Sequence, residues 1–171
     1  MAANPYTPPR AEVADVGSDE FQEVRIFSIS GRIGRLRYLA YTTGISFAIM
    51  FVAGMLGALL GPSLLPVITA IAYIPVIILS IMFMIQRSHD MDWSGWMCFL
   101  GIIPLVGLIW IFKSGTQGEN RYGPRPPPNT TGVKIVAVVF PLIVIVGILA
   151  AIAIPAYQQY QQRVQESQQG R

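Results

Sequence analysis

The sequence predicts an all-α protein, a polytopic membrane helix bundle with three to four transmembrane segments. Three long stretches, 38–86, 93–112 and 135–162, carry no charged residue. About 20 apolar residues span a bilayer as a helix, and a charge at the bilayer centre costs several kcal/mol. Only 12% of the 171 residues are charged and 53% are hydrophobic, whereas about 25% of a soluble domain is charged. The net charge of +3 is therefore interpreted as a topology signal, and no nucleic-acid partner is expected.

The N-terminal region precedes the apolar stretches and has a different composition. Residues 1–23 combine three prolines with scattered acidic residues, which predicts a disordered tail that cannot bury apolar surface. Residues 24–29 are mostly apolar with an arginine and a serine between. This short amphipathic piece is expected to lie at the membrane surface.

The first uncharged stretch is too long for one helix. Gly61, Pro62 and Ser63 interrupt it, because proline cannot continue a helix and glycine tolerates turn geometry. We expect one span over 38–60 and a second over 64–85. The connection is short, so the two helices should be antiparallel neighbours.

The third apolar segment, 96–112, lies within the second uncharged stretch. It is the shortest segment and has Pro104 and Gly107 in its middle. It either crosses the bilayer once or re-enters it, with a turn at 103–107. A Gly/Pro-rich loop follows. These boundaries predict a membrane domain over 24–126 and a linker over 127–132. A C-terminal part, 133–171, then contains a last span and a polar, Gln-rich helix.

Positive charge predicts the orientation. Four arginines lie close before the first span, at Arg25, Arg32, Arg35 and Arg37, which places the N-terminus in the cytoplasm by the positive-inside rule. If the third apolar segment, 96–112, crosses fully, the basic residues after it face outward, against that rule. If it re-enters, they stay cytoplasmic and the C-terminal tail lies outside. The charge pattern favours the re-entrant version and leaves full crossing open.

Three segments, in order, resemble one known family. Residues 27–38 contain Phe-x-x-x-Gly-Arg-x-x-Arg-x-x-Tyr, residues 87–96 contain Arg-x-His-Asp-x-x-x-Ser-Gly-Trp, and residues 115–124 contain Gly-x-x-Gly-x-Asn-x-Tyr-Gly-Pro. These patterns are similar to those of a family of small bacterial inner-membrane proteins, domain of unknown function 805. Gln86 departs from the pattern, because the family often has an arginine there. The resemblance implies the bacterial inner (cytoplasmic) membrane, with several spans, and no known activity.

The same segments predict a polar cap at the cytoplasmic end of the bundle. Arg32 and Arg35 are spaced one helical turn apart, so both can face lipid phosphates or a shared carboxylate. Asp90 is the expected partner of Arg32. The candidate cap residues are Arg32, Arg35, Arg87, His89, Asp90 and Asn120. The candidate anchors in the membrane interface are Trp93, Trp96, Trp110, Tyr38 and Tyr122.

No catalytic, cofactor-binding or metal-binding residue is predicted. One histidine, His89, with Asp90 and Asp92 nearby supplies too few ligands to fix a metal. The glycine-rich segment 115–124 lacks the Gly-Lys-Ser/Thr ending of a phosphate-binding loop. Cys98 lies among apolar residues and is expected to be inert.

The C-terminal span carries a second resemblance. Residues 146–160, which read VGILAAIAIPAYQQY, are similar to the N-terminal helix of type IV pilins. Val138 stands where pilins carry the glutamate used in assembly, and Lys134 stands where the mature N-terminal aromatic residue would be. Gly132 followed by Val133 is a poor processing site. The resemblance therefore implies a helix that docks on pilins or their platform, not a processed pilin.

These features together predict a non-enzymatic scaffold or accessory protein in the membrane, with a pilus-associated version. Its expected partners are membrane lipids and other membrane proteins, including pilin or the pilus platform, and a homo-oligomer is left open. Two alternatives also stay open: a small transporter or channel, and a lipid- or stress-responsive sensor. The spans contain no ionisable residue, whereas transport pathways usually need one.

Overall fold

The computed structural model describes residues 21–169, and every regular element in that range is helical. The elements are α1 (Arg35–Leu60), α2 (Leu65–Asp90), a 3-10 helix (Gly95–Ile102), α3 (Pro104–Phe112) and α4 (Thr131–Gln169). Within this range α1, α2 and α4 are long and apolar enough to cross a membrane. The predicted polytopic bundle of helices is confirmed. Most of the tail predicted for 1–23 lies outside the described residues.

An antiparallel hairpin of α1 and α2 forms the body of the bundle. Gly61 ends α1 with φ +104°, a backbone angle that favours glycine, and its N–H donates to the Gly57 carbonyl over 3.1 Å. At the other end, the Ile33 N–H donates to the Gln86 carbonyl over 3.3 Å. Helices α1 and α2 also pack on each other, as the short connection predicts.

The third apolar stretch turns back on itself. Ile103 is extended (φ −74°, ψ 117°) and separates the 3-10 helix from α3. A Cβ added at Gly95, the start of this segment, would meet Ile85 of α2 at 3.0 Å. Near its end, the Trp110 indole N–H donates to Ser88 Oγ, also on α2, over 2.9 Å. Both ends thus lie against the last turns of α2, which is the geometry of a re-entrant segment.

Helix α4 runs parallel to α1 and packs against no other described helix. A Cβ added at Gly44 would meet Val136 Cγ1 at 2.9 Å. One helical turn further along both helices, the rings of Phe47 and Phe140 meet edge to face at 4.9 Å. The helix begins at Thr131, two residues before the expected start of the span. It continues without interruption through Pro141 and Pro155, so the last span and the polar extension are one helix.

The buried core lies at one end of this bundle. Its buried apolar members are Ile33, Tyr38, Phe83, Met91 and Trp110. They come from the chain before α1, both helices of the hairpin, the turn after α2, and α3. Most apolar side chains elsewhere on the helices are exposed, as expected for surfaces that face lipid.

Substituting the glycine at the re-entrant turn should destabilise the protein. A Cβ at Gly107 would lie 2.7 Å from the Gly101 carbonyl oxygen, and this backbone atom cannot move away as a side chain can. Gly107→Ala should lower the free energy of unfolding by about 1–3 kcal/mol, the usual effect of overpacking. Gly147→Ala is the matched control, because Gly147 is also helical and has nothing within 4 Å of the added Cβ. Thermal unfolding in detergent, followed by circular dichroism, compares them; equal melting temperatures would contradict the close approach.

Candidate polar cap

The polar cap is built where three parts of the chain meet: the N-terminus of α1, the C-terminus of α2 and the loop 113–130. Its predicted members are Arg32, Arg35, Arg87, His89, Asp90 and Asn120. Because α1 and α2 are antiparallel, the N-terminus of α1 and the C-terminus of α2 lie at the same end of the bundle. The loop covers both ends.

Asp90 is the centre of the cap. Its Oδ1 accepts from Arg32 Nη2 at 3.2 Å, and its Oδ2 pairs with Arg87 Nη1. The two arginine side chains are 0% exposed and the aspartate side chain is 5% exposed. The predicted pairing of Arg32 with Asp90 is present, and Arg87 is a second partner. Both carboxylate oxygens of Asp90 are therefore occupied by guanidinium groups.

The loop folds around the remaining donors of Arg32. Arg32 Nη1 donates to the carbonyls of Gly118 and Gly123 over 2.8 and 2.9 Å, and Nη2 donates to the Thr116 carbonyl over 2.7 Å. Gly118 and Gly123 have φ angles of +77° and +112°, which glycine adopts without strain. Gly115 lies directly against the Asp90 carboxylate, so a side chain there has no room. Gly118 and Gly123 are therefore explained by the fold of the loop around Arg32, and Gly115 by its contact with Asp90.

Arg87 connects α2 to the end of the re-entrant segment. Its Nε donates to the Trp110 carbonyl over 2.9 Å, and its Nη2 donates to the Lys113 carbonyl. These carbonyls lie at the C-terminus of α3, where the last turn leaves acceptors without helical partners. Arg87 thus satisfies that helix end and holds it beside Asp90.

Arg32 and Arg35 were predicted to face one partner, but they bind different groups. Helix α1 begins at Arg35, with Gly34 as its N-cap, so Arg32 precedes the helix and the one-turn spacing does not apply. Arg32 points inward, whereas Arg35 is exposed and donates to the Phe112 carbonyl over 3.1 Å. The expectation that Arg32 can face lipid phosphates is therefore wrong, since its side chain is enclosed by protein.

His89 and Asn120 join the loop to the end of α2. His89 Nδ1 lies 3.2 Å from the Gly31 carbonyl, and its ring stacks on Tyr122 with centroids 3.9 Å apart. The Asn120 amide donates to the His89 carbonyl, and the Tyr122 N–H donates to Asn120 Oδ1, both over 2.9 Å. Among residues 21–169 no group of three metal-ligating side chains gathers here or elsewhere.

The predicted aromatic anchors fall into three sets: exposed, buried and half-buried. Trp96 is 78% exposed and can lie in a membrane interface. Trp110 is 0% exposed and Tyr38 is buried, so the prediction that these two are interfacial anchors is wrong. Trp110 is instead held by its hydrogen bond to Ser88 Oγ. Trp93 and Tyr122 are half-buried, and Lys113 Nζ lies 4.0 Å from the centroid of the Trp93 ring.

Besides Ser88, two buried polar residues at this end of the bundle were not predicted. Arg37 donates to the carbonyls of Pro127 and Pro128 over 3.1 and 2.9 Å. Gln86, the departure from the family pattern, donates to the Arg25 carbonyl over 2.9 Å and to the Ser28 carbonyl. Arginines before a span are interpreted as topology signals, so the hydrogen bonds of Arg37 to the loop were not predicted. The signal for Gln86 in the sequence was a glutamine in the last turns of an otherwise apolar helix.

The fold and the cap define a helical membrane protein with a polar cap at one end. Residues 26–124 match the family described as protein of unknown function (DUF805), and the chain belongs to this family. No solved structure matches the chain.

Two relatives from Escherichia coli (strain K12) have names that give their location. The inner membrane protein YhaI is 34% identical over 103 residues, which cover 57% of this chain and 84% of YhaI. The inner membrane protein YhaH is 47% identical over 45 residues, which cover 24% of this chain but only 37% of YhaH. With three helices that can cross a membrane, these matches support a multi-pass inner-membrane protein.

Removing the central charge should be far more damaging than removing a nearby exposed one. Asp90→Asn leaves two buried guanidinium groups without their counter-ion, so it should lower the free energy of unfolding by about 3–5 kcal/mol. Asp92→Asn is the control, because its ion pair with Arg121 is half-exposed (side chains 58% and 48%) and should contribute less than about 1 kcal/mol. Thermal unfolding in detergent measures both, and a double-mutant cycle with Arg32→Gln isolates the pair. A similar small effect of both substitutions would contradict the central role of Asp90.

Proposed function

We propose that the protein is a non-enzymatic membrane scaffold or accessory protein that presents α4 to other membrane proteins. The observation that carries this proposal is the lack of packing along most of α4. Between residues 142 and 168 only Ala150 is half-buried, and every other side chain is exposed. Contacts with α1 are concentrated in the first turns, around Val136, Ala137 and Phe140.

The length of α4 adds to this argument. It has 39 residues against 26 in α1, a difference of 13 residues or about 20 Å at 1.5 Å per residue. Both helices start at the cap, so α4 ends well beyond the hairpin turn at Gly61. The overhanging part is polar and exposes Tyr157 and Tyr160, at 63% and 65%. Exposed tyrosines are frequent in protein interfaces.

We further propose that the cap lies on the cytoplasmic side and the α4 overhang on the opposite side. The cap end collects the basic residues Arg35, Lys113, Arg121 and Lys134, which the positive-inside rule places in the cytoplasm. The re-entrant third segment keeps loop 113–130 on the same side as the start of α1. Three crossings then place the C-terminal extension in the periplasm.

The pilus-associated version of this proposal concerns the free part of α4. The pilin-like residues 146–160 all lie within the exposed stretch of the helix. Pilin helices have their C-terminal side outside the cytoplasm, which is the direction proposed for α4. A helix of this type could pack beside pilin helices or the membrane platform that assembles them.

Site-specific photo-crosslinking in a piliated strain tests the scaffold proposal. A benzophenone amino acid at Ile148 or Tyr157 of α4 should capture a partner protein, identified by mass spectrometry as pilin or a platform component. The same group at Ile77 of α2 is the matched control, since Ile77 and Ile148 are similarly exposed, at 55% and 56%. No crosslink from α4, or the same products from Ile77, would overturn the proposal.

Cysteine labelling in intact cells tests the proposed orientation. Single cysteines at Ser63, Gln117 and Ser167, all exposed, are placed in a Cys98→Ala background and treated with a membrane-impermeant maleimide. Ser63 and Ser167 variants should be labelled and the Gln117 variant protected. Labelling at Gln117 with protection at Ser167 would instead mean four full crossings and a cytoplasmic C-terminus.

A further inference from the structure

A cavity of about 470 Å³ lies beside the polar cap but outside its ion cluster. Its walls come from Ile81 and Ile85 of α2, Trp96 and Phe99 of the 3-10 helix, and Tyr122 of the loop. The volume is within the range of about 300–1,000 Å³ that is typical of small-molecule sites. Its walls are mostly apolar, which suits a largely apolar ligand.

His89 gives this apolar cavity a fixed hydrogen-bond acceptor. The Gly31 carbonyl can only accept, so the proton of the neutral imidazole is on Nδ1 and the lone pair is on Nε2. The Tyr122 ring covers one face of the imidazole. Nε2 lies beside Gly95, where an added Cβ would be 3.2 Å away, and Gly95 also lines the cavity. No donor within residues 21–169 hydrogen-bonds to Nε2.

An aromatic wall stands next to this acceptor. The rings of Trp96 and Phe99 stack with centroids 5.9 Å apart and an angle of 24° between their planes. Trp96 is 78% exposed, so packing within the protein does not explain a large indole at this position. Trp96, like His89, belongs to the segment 87–96 that carries the family resemblance, yet neither side chain is hydrogen-bonded to Arg32, Arg87 or Asp90 in the part of the chain that the structure describes.

We propose that this cavity binds a membrane-soluble phenol or quinol. The hydroxyl group of the ligand donates to His89 Nε2, its ring lies against Trp96 and Phe99, and its alkyl chain follows Ile81 and Ile85 toward lipid. The ligand class follows from the lone pair, which requires a donor and repels a carboxylate or phosphate oxygen. The aromatic wall selects a ring over a plain acyl chain.

A pair of probes that differ only in the hydroxyl hydrogen tests the hydrogen bond. 4-Nonylphenol and its methyl ether, 4-nonylanisole, are titrated into the purified full-length protein in nanodiscs, and binding is measured by calorimetry. The phenol should bind about 5- to 10-fold more tightly, the effect of one hydrogen bond. His89→Phe keeps a ring against Tyr122 but has no acceptor, so it should abolish this preference. Equal binding of both probes to the unsubstituted protein, or a preference that survives in His89→Phe, would overturn the proposal.

A second substitution tests the aromatic wall without risk to the fold. Trp96→Ala removes an exposed ring and should weaken 4-nonylphenol binding about 10-fold, whereas Phe112→Ala removes a similarly exposed ring (70%) outside the cavity and should leave binding unchanged. Dodecan-1-ol, an aliphatic alcohol, should bind more weakly than 4-nonylphenol. Equal affinities of 4-nonylphenol and dodecan-1-ol, or equal effects of the two substitutions, would overturn the assignment to an aromatic ligand.

Discussion

The carboxylate of Asp90, shared between two buried guanidinium groups, is the interaction on which the rest of this structure depends. Arg32 comes from the chain before α1 and Arg87 from the last turn of α2. Their remaining donors bind carbonyls of α3 and of the loop that follows it. A buried charge that lost its partners would be very costly, because its desolvation would not be compensated. The cluster therefore holds four parts of the chain in one arrangement.

Such a polar cluster matters more in a membrane protein than it would in a soluble one. Lipid tails are as apolar as leucine, so burying side chains between helices has little hydrophobic driving force. The described helices have few buried side chains away from the cap. Satisfied hydrogen bonds and ion pairs at one end can then decide how the helices are arranged, while their other ends contact mostly lipid.

The segments that carry the family resemblance divide between two physical roles. Arg32, Arg87 and Asp90 are enclosed, and the glycines around them have the backbone freedom that the loop needs. His89 and Trp96 lie outside this cluster and line a cavity with mostly apolar walls. The first set accounts for how the cap is built. The second set and the unpacked length of α4 are the surfaces available for function.

The sequence by itself determined the class of protein, its helices and the end at which the polar groups gather. These follow from the length of the uncharged stretches, from the break at 61–63 and from the distribution of arginines. All three are local properties of the chain. Tertiary structure alone decided that the third segment turns back at Ile103, that Trp110 and Tyr38 are buried, and that α1 is the one described helix on which α4 packs. It also decided that Arg32 points inward, because α1 begins three residues later than the Arg32–Arg35 spacing implies. Each of these outcomes depends on which distant residue supplies a hydrogen bond or a packing surface, and composition and spacing do not contain that information.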